Sequence, residues 1–241
     1  MQLRLLLVAA LLSATGLPAA AQTAEQWIAR ARARLGSESA LQGLTSIRYT
    51  GTLVVDGANQ RSLDILFQKP LKQRITLTSA EIVDVIGLDD YDAWQKRSNP
   101  KNPAQWQLTL IDPAQTKRLR AQVWDNLYFF SGLEKMRGSV RLEGDVTVDG
   151  VACVKLVFTY HENMVLTRYF ERATARLVKV ETETGTEIRE EGEIFANGIR
   201  FPRKVTNREK DGRAITMVFD QVILNETHAA SEFAVPALRE N

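Results

Sequence analysis

The chain has 241 residues, a formal net charge of +2 from 31 Lys and Arg against 29 Asp and Glu, and 44% hydrophobic residues. This near-balance of charge excludes a nucleic-acid binder that depends on bulk positive charge, and the composition is globular rather than disordered or collagen-like. The single cysteine, Cys153, excludes an intramolecular disulfide framework and a Cys-rich zinc site.

The first 21 residues have the pattern of an export signal. Arg4 gives a positive start, Leu5 to Leu12 is an apolar run, and Ala19-x-Ala21 fits a signal-peptidase site. The run is too short to span a bilayer, which needs about 20 residues. We therefore predict that residues 1–21 are a signal peptide and that residues 22–241 form one periplasmic, soluble domain. Because no cysteine follows the apolar run, we expect no lipid anchor.

A helix is predicted to begin at Thr23, because Gln26 follows at the spacing of a capping box. Its apolar stripe is formed by Trp27, Ala31 and Leu35. Three arginines cover the rest of this helix and are predicted to be solvated, with contact to anionic lipid as the alternative: Arg30, Arg32 and Arg34.

From Thr45 onward the hydrophobic period changes from 3.6 to 2, which predicts β-strands. Between residues 140 and 224 the turn signals recur at the spacing of an antiparallel meander, as at Asn197-Gly198 and Asp211-Gly212. One group of charges in this region is predicted to be a solvated face that keeps the protein soluble: Glu187, Glu190, Glu191 and Glu193.

A second helix interrupts the strands, since Asp112-Pro113 provides a cap and a first-turn proline. Its apolar stripe reaches Phe130, and Ser131-Gly132 ends or bends it. In one interpretation this helix is a lid over a cavity, and in the other it is a packed core helix. The residues of the predicted lid are Leu119, Val123, Trp124 and Leu127.

The pattern predicts about eleven or twelve antiparallel strands, and a sheet of such strands with one apolar face must curl to bury that face. We predict a mainly β fold with α: an open antiparallel half-barrel of about 11 strands with helices covering the concave face. Such an interior is wider than side chains readily fill, so an apolar ligand could bind there, although a plain core is the alternative. The predicted lipid-binding residues are Leu53, Leu63, Ile65, Phe67, Ile75, Leu77, Leu156, Phe158, Met217 and Phe219.

The order and spacing of several motifs resemble the LolA/LolB-like superfamily of outer-membrane lipoprotein-sorting proteins, over nearly all of residues 23–238. These motifs are Leu44-x-x-Ile47-x-Tyr49-x-Gly51-x-Leu53, Phe67-Gln68-Lys69-Pro70, Asp89-Asp90-Tyr91-Asp92-Ala93-Trp94 and Gly198-Ile199-Arg200-Phe201-Pro202. The resemblance implies an open eleven-stranded barrel covered by helices, with a cavity for the acyl chains of lipoproteins.

The resemblance also assigns a lid role to Lys69, because the family's carriers have a lid-binding arginine before this proline. A lysine cannot make the forked contact of an arginine. The sequence therefore does not determine which contact holds the lid at this position.

We expect a periplasmic carrier that binds the acyl chains of a lipoprotein or phospholipid and shuttles this cargo between membranes. A membrane transporter or an outer-membrane acceptor would be its partner, and we expect a monomer. The alternative is a periplasmic lipid-sensing or regulatory module that contacts a membrane protein. Catalytic and metal-binding motifs are absent from the sequence, so we expect no enzyme activity, no cofactor and no metal.

Overall fold

The computed structural model describes residues 22–56, 60–161 and 164–237. The signal peptide predicted at residues 1–21 lies outside the described residues and stays a prediction. In the part of the chain that the structure describes, no helix is long and apolar enough to cross a membrane.

The described residues form three α-helices: α1 (Ala24–Leu35), α2 (Glu38–Gln42) and α3 (Pro113–Tyr128). The capping box of α1 is present as predicted, since Gln26 N donates to Thr23 Oγ1 at 3.3 Å and Thr23 N donates to Gln26 Oε1 at 2.9 Å. At the start of α3, the Asp112 carboxylate accepts the backbone N–H groups of Ala114 and Gln115. Both helices therefore begin where the local sequence satisfies their free N–H groups.

The strands of the first half are β1 (Ser46–Val55), β2 (Arg61–Gln68), β3 (Lys72–Thr78), β4 (Val83–Asp89), β5 (Asp92–Asn99) and β6 (Asn102–Leu110). Those of the second half are β7 (Ser139–Val148), β8 (Val151–His161), β9 (Met164–Glu171), β10 (Leu177–Thr182), β11 (Glu187–Glu191), β12 (Ile194–Ala196), β13 (Ile199–Phe201), β14 (Lys204–Arg208) and β15 (Ala214–Leu224).

Thirteen of these strands form one open antiparallel sheet in the order β6-β5-β4-β3-β2-β1-β15-β14-β11-β10-β9-β8-β7, and β12 pairs with β13 in a separate hairpin. The predicted open antiparallel half-barrel is confirmed. The predicted number of about 11 strands is too low. The shortest strands, β12 and β13, have three residues each, which is too few to show an alternating pattern.

This strand order determines where α3 lies. The chain starts at the centre of the sheet with β1, runs to one edge at β6, and returns from the other edge at β7 to the centre at β15. The segment between β6 and β7 must therefore cross from edge to edge, and it contains α3. Helix α3 packs on the inner face of the sheet against β2, β3 and β4.

A β-bulge at Gly51 brings β1 and β15 unusually close together. The register changes from Thr50 opposite Gln221 to Gly51 opposite Phe219, so that Asp220 is the extra residue. A Cβ atom at Gly51 would lie 2.0 Å from the carbonyl oxygen of Val218. Only glycine therefore fits this contact at the centre of the sheet.

We expect Gly51→Ala to lower the free energy of unfolding by about 1–3 kcal/mol, because the two backbones must separate to admit the methyl group. Chemical denaturation measures this change. Thr52→Ala on the same strand is the control, since it shortens a side chain and creates no clash. A Gly51→Ala protein as stable as the wild type would show that the strands can separate without cost.

Candidate functional site

A cavity of about 410 Å³ lies between the inner face of the sheet and helices α1 and α3. Its walls come mainly from β1, β2, β9, β11, β14 and β15, together with the segment that follows α3. Most of its large side chains are apolar, and they include Tyr49, Ile65, Phe67, Phe129, Leu166, Phe170, Met217 and Phe219. A polar fringe is formed by Arg34, Arg118, Asp125, Glu190, Arg200 and Asn207.

Four of the ten predicted lipid-binding residues line this cavity: Ile65, Phe67, Met217 and Phe219. They lie on β2 and β15, on either side of β1. Tyr49 of β1 lies between them, with its ring centroid 6.5 Å from that of Phe67 and 4.8 Å from that of Phe219. The three neighbouring strands thus form one continuous aromatic wall.

The other six predicted residues do not line the cavity. Leu63, Leu156 and Phe158 are buried in the main core, and three others are half-buried against it: Leu53, Ile75 and Leu77. Helix α3 packs over β2 and β3, and the ring of Phe130 lies 6.0 Å from that of Phe158. The alternating pattern identifies the inner face of each strand, but it does not show which part of that face another segment covers.

The predicted lid residues lie on the face of α3 that packs into the core. Val123, Trp124 and Leu127 are buried, and Leu119 is half-buried against the same core. The neighbouring polar face contributes Arg118, Gln122, Asp125 and Asn126 to the cavity wall. Helix α3 therefore bounds the cavity with its polar edge, while its apolar stripe attaches it to the sheet.

The apolar stripe of α3 was predicted to extend to Phe130, but the helix ends at Tyr128. Phe129 and Phe130 both have positive φ angles, 46° and 69°. Their rings line the cavity from beyond the end of the helix. Two successive left-handed non-glycine residues are uncommon and require support from tertiary contacts.

Arg32 of α1 provides much of that support. Its Nη1 atom donates to the carbonyl oxygens of Tyr128 and Phe129 at 2.7 and 2.8 Å, and to Ser131 Oγ at 2.9 Å. Its Nε and Nη2 atoms bind both carboxylate oxygens of Glu38. A cation at the C-terminus of a helix also interacts favourably with the helix dipole. The prediction that Arg32 is solvated is wrong, because the residue is 7% exposed.

Lys69 lies at the same end of α3 but makes weaker contacts. Its Nζ atom donates to the carbonyl oxygen of Gln42 at 3.4 Å and lies 4.9 Å from the centroid of the Tyr128 ring. Burial lowers the pKa of the Lys69 ammonium, and the charge of Arg32 lowers it further. Arg32, rather than Lys69, makes several hydrogen bonds to the C-terminal end of α3.

An ion pair with a buried arginine joins the middle of α3 to the sheet. Arg168 of β9 is 2% exposed, and its Nη2 atom lies 2.6 Å from both carboxylate oxygens of Asp125. Tyr160 donates its hydroxyl to the same carboxylate. Burial raises the pKa of the Tyr160 phenol well above its ordinary value, so the phenol stays protonated as a donor. The guanidinium also lies over the ring of Phe158, 4.3 Å from the centroid.

Glu190 is exposed, as predicted for its group of glutamates, but it lies on the inner face of the sheet. It shares that face of β11 with Ile188, and both residues line the cavity. The other members of the group form ion pairs: Glu187 with Arg189, Glu191 with Lys204, and Glu193 with Arg200. Within the described residues, Glu190 has no ion-pair or hydrogen-bond partner. The sequence contained one signal for this placement: the apolar residue Ile188 lies two positions before Glu190, so both point to the same face of the strand.

In the described ranges, no three His, Cys, Asp or Glu side chains converge so that they could hold a metal ion. Most charged groups of the cavity wall instead pair with side chains outside the wall, as Arg118 does with Glu183. The cavity is thus an apolar chamber with a polar fringe, the kind of site that takes an apolar ligand.

No family model matches the sequence, and no curated protein matches it in a sequence search. Solved structures do match it in fold. A domain of an outer membrane lipoprotein-sorting protein from Vibrio parahaemolyticus aligns with a TM-score of 0.57 at 10% identity, covering 87% of this chain and 96% of its own. A DUF1329 family protein from Desulfovibrio piger also aligns with a TM-score of 0.57 at 10% identity, covering 87% of this chain and 96% of its own. A LolA superfamily protein from Nitrosomonas europaea aligns with a TM-score of 0.56 at 13% identity, covering 89% of this chain and 99% of its own. The chain therefore has a LolA-like fold.

Proposed function

We propose that the protein is a periplasmic carrier that binds the acyl chains of a lipoprotein or phospholipid in this cavity and passes them between membranes. The observation that carries the proposal is the apolar chamber between the sheet and α3, in a fold shared with a lipoprotein-sorting domain. On this proposal the protein is exported, acts as a monomer, meets a membrane transporter or an outer-membrane acceptor, and catalyses no reaction.

The physical basis of the affinity would be the removal of acyl chain from water. Each buried methylene group contributes roughly 0.8 kcal/mol, so part of one chain supplies several kcal/mol without any specific polar contact. A carrier must also release its cargo, and a chamber that recognises chains mainly by apolar area meets this requirement. The aromatic wall of Tyr49, Phe67 and Phe219 provides such area.

A substitution that fills the cavity tests the proposal. We expect Met217→Trp to weaken binding of dodecanol at least about tenfold, because Met217 lines the chamber and the larger side chain would occupy the space of several methylene groups. Displacement of the fluorescent probe N-phenyl-1-naphthylamine by dodecanol measures the affinity in detergent-free protein.

Thr216→Trp is the matched control, because Thr216 is the neighbour of Met217 on β15 and points to the opposite face of the sheet. Its affinity for dodecanol should stay within about twofold of the wild-type value, a change of under half a kcal/mol. Equal weakening by both substitutions, with melting temperatures unchanged, would contradict an acyl site in the cavity.

The second candidate function is a regulatory module that binds a membrane protein. Within the described residues, strands β6 and β7 are the two open edges of the sheet. An open edge presents unpaired backbone N–H and C=O groups to which a partner strand can add. Co-purification of a stoichiometric protein without lipid, lost when proline is placed in β7, would favour this function over the carrier.

A further inference from the structure

The polar fringe of the cavity contains one carboxylate that the fold does not use. Glu190 lines the chamber from β11, opposite Val205 of β14, and its side chain is exposed to the chamber. Glu190 keeps part of its exposure to water, but the apolar surface around it lowers the local dielectric, so a cation that reaches this carboxylate is attracted more strongly than in open water. No ion-pair or hydrogen-bond partner of Glu190 is present among the described residues.

A second acceptor lies beside this carboxylate. Asn207 follows Val205 by two residues on β14, which makes it the diagonal neighbour of Glu190 across the strand pair. Its side-chain oxygen Oδ1 is also without a hydrogen-bond partner among the described residues. Two neighbouring acceptors on one wall favour a ligand group that donates several hydrogen bonds.

The cations in and behind the same wall lie within ion-pair distance of carboxylates, although Arg34 Nε and Arg200 Nε have no hydrogen-bond partner among the described residues. Arg118 pairs with Glu183, and Arg200 pairs with Glu193, which Arg34 also approaches to 3.8 Å. Arg168 is paired with Asp125. The wall therefore retains an acceptor surface at Glu190, while its guanidinium groups have carboxylate partners of their own.

We propose that Glu190, with Asn207 beside it, binds the primary ammonium group of an amphiphile whose apolar chain occupies the cavity. This inference rests on the proposed function and narrows its ligand class to amine-bearing lipids. An ammonium group has three N–H donors and a positive charge, which match one carboxylate and one amide oxygen. A charge-assisted hydrogen bond of this kind is about twice as strong as a neutral one.

The protonation state of Glu190 makes the assignment testable by pH. Desolvation raises the pKa of the Glu190 carboxyl; Arg200 and Arg168 oppose this shift, and Asp125 adds to it. Tyr49, whose own pKa is raised by burial and then by Glu190, faces it from β1, and Arg34 and Arg118 line the same chamber. The ammonium ligand requires the ionised carboxylate, so its affinity should fall as the pH falls through this raised pKa.

The test compares dodecylammonium with dodecanol, two probes of equal chain length, by isothermal titration of the detergent-free wild-type protein and of Glu190→Gln. We expect the wild type to bind dodecylammonium at least about tenfold more tightly than dodecanol. Glu190→Gln should bring the two affinities to within about threefold of each other and should abolish the pH dependence of ammonium binding.

Glu191→Gln is the matched control, since Glu191 is the next residue on β11 and pairs with Lys204 on the other face of the sheet. It should retain the wild-type preference for the ammonium probe. Glutamine has the shape of glutamate, and a thermal melt shows whether Glu190→Gln is folded. The pH profile of the wild type provides a second readout that needs no variant.

Two outcomes would overturn the inference, and they differ in what they imply for the proposed function. If both probes bind equally to the wild type and to Glu190→Gln, the cavity takes acyl chains without recognising an ammonium group, and the carrier function stands. If neither probe binds to any of the proteins, both the ammonium site and the acyl-binding function are wrong.

Discussion

Asp125→Ala is expected to lower the free energy of unfolding by about 3–5 kcal/mol, because it leaves the charge of Arg168 buried without a counter-ion. The Arg168 side chain is 2% exposed, and Asp125 accepts two of its hydrogen bonds at 2.6 Å. Urea denaturation followed by circular dichroism measures the loss.

The double variant Asp125→Leu with Arg168→Met distinguishes the stability cost of an unpaired buried charge from the cost of lost side-chain packing. Replacing both members of a buried ion pair by apolar side chains of similar size often costs little, because both desolvation penalties disappear together. The double variant should therefore be more stable than Asp125→Ala. A double variant that is less stable than Asp125→Ala would show that hydrogen bonds to Tyr160, rather than the charge pair, stabilise this part of α3.

Arg32→Met is expected to lower the free energy of unfolding by about 3 kcal/mol, the second largest effect. The variant retains most of the apolar stem but removes the donors to the carbonyl oxygens of Tyr128 and Phe129. A buried acceptor that loses its partner costs about 1–3 kcal/mol, and the favourable charge at the helix C-terminus is lost as well. The comparison is made by the same urea denaturation.

Arg30→Met is the matched control for this prediction, because Arg30 lies two residues away on the same helix. Its contacts are at the surface, with the Gln22 side chain and the backbone oxygen of Arg172, and its guanidinium lies over the Trp27 ring. Loss of such exposed contacts should cost about 1 kcal/mol or less. Equal losses of unfolding free energy in the two variants would show that the contact of Arg32 with the end of α3 stabilises the protein no more than the surface contacts of Arg30 do.

The two variants also bear on how the cavity opens. Asp125 connects the middle of α3 to β9, and Arg32 connects its C-terminal end to α1. The remaining attachment is the apolar stripe that contains Val123 and Leu127. If α3 moves when cargo enters, weakening either polar contact should speed uptake of dodecanol in stopped-flow measurements.

The fold was predictable because its signals are local. Thr23 and Asp112 mark the helix starts through their own side chains, and alternating residues mark the inner face of each strand. The open sheet follows from the number of such strands with one apolar face. The turn between β12 and β13 was predicted at Asn197-Gly198, but the separation of this hairpin from the main sheet was not predictable, because three residues per strand are too few to show alternation.

The site was less predictable because it depends on contacts between distant segments. Phe129 and Phe130 leave the helix and enter the cavity wall where Arg32, about a hundred residues earlier, binds the last carbonyl groups of α3. Glu190 appears in the sequence as one of several charges in a solvated group. Only the pairing of β11 with β14 places it in the chamber beside Asn207.

The most direct test of the central claim is mass spectrometry of an organic extract from the mature protein, purified without detergent, with Met217→Trp extracted in parallel. The account predicts close to one molecule bearing an acyl chain per wild-type protein and much less from Met217→Trp. A lipid-free wild-type extract, from a folded protein that also fails to bind dodecanol, would contradict it and would identify the chamber as an unfilled part of the core.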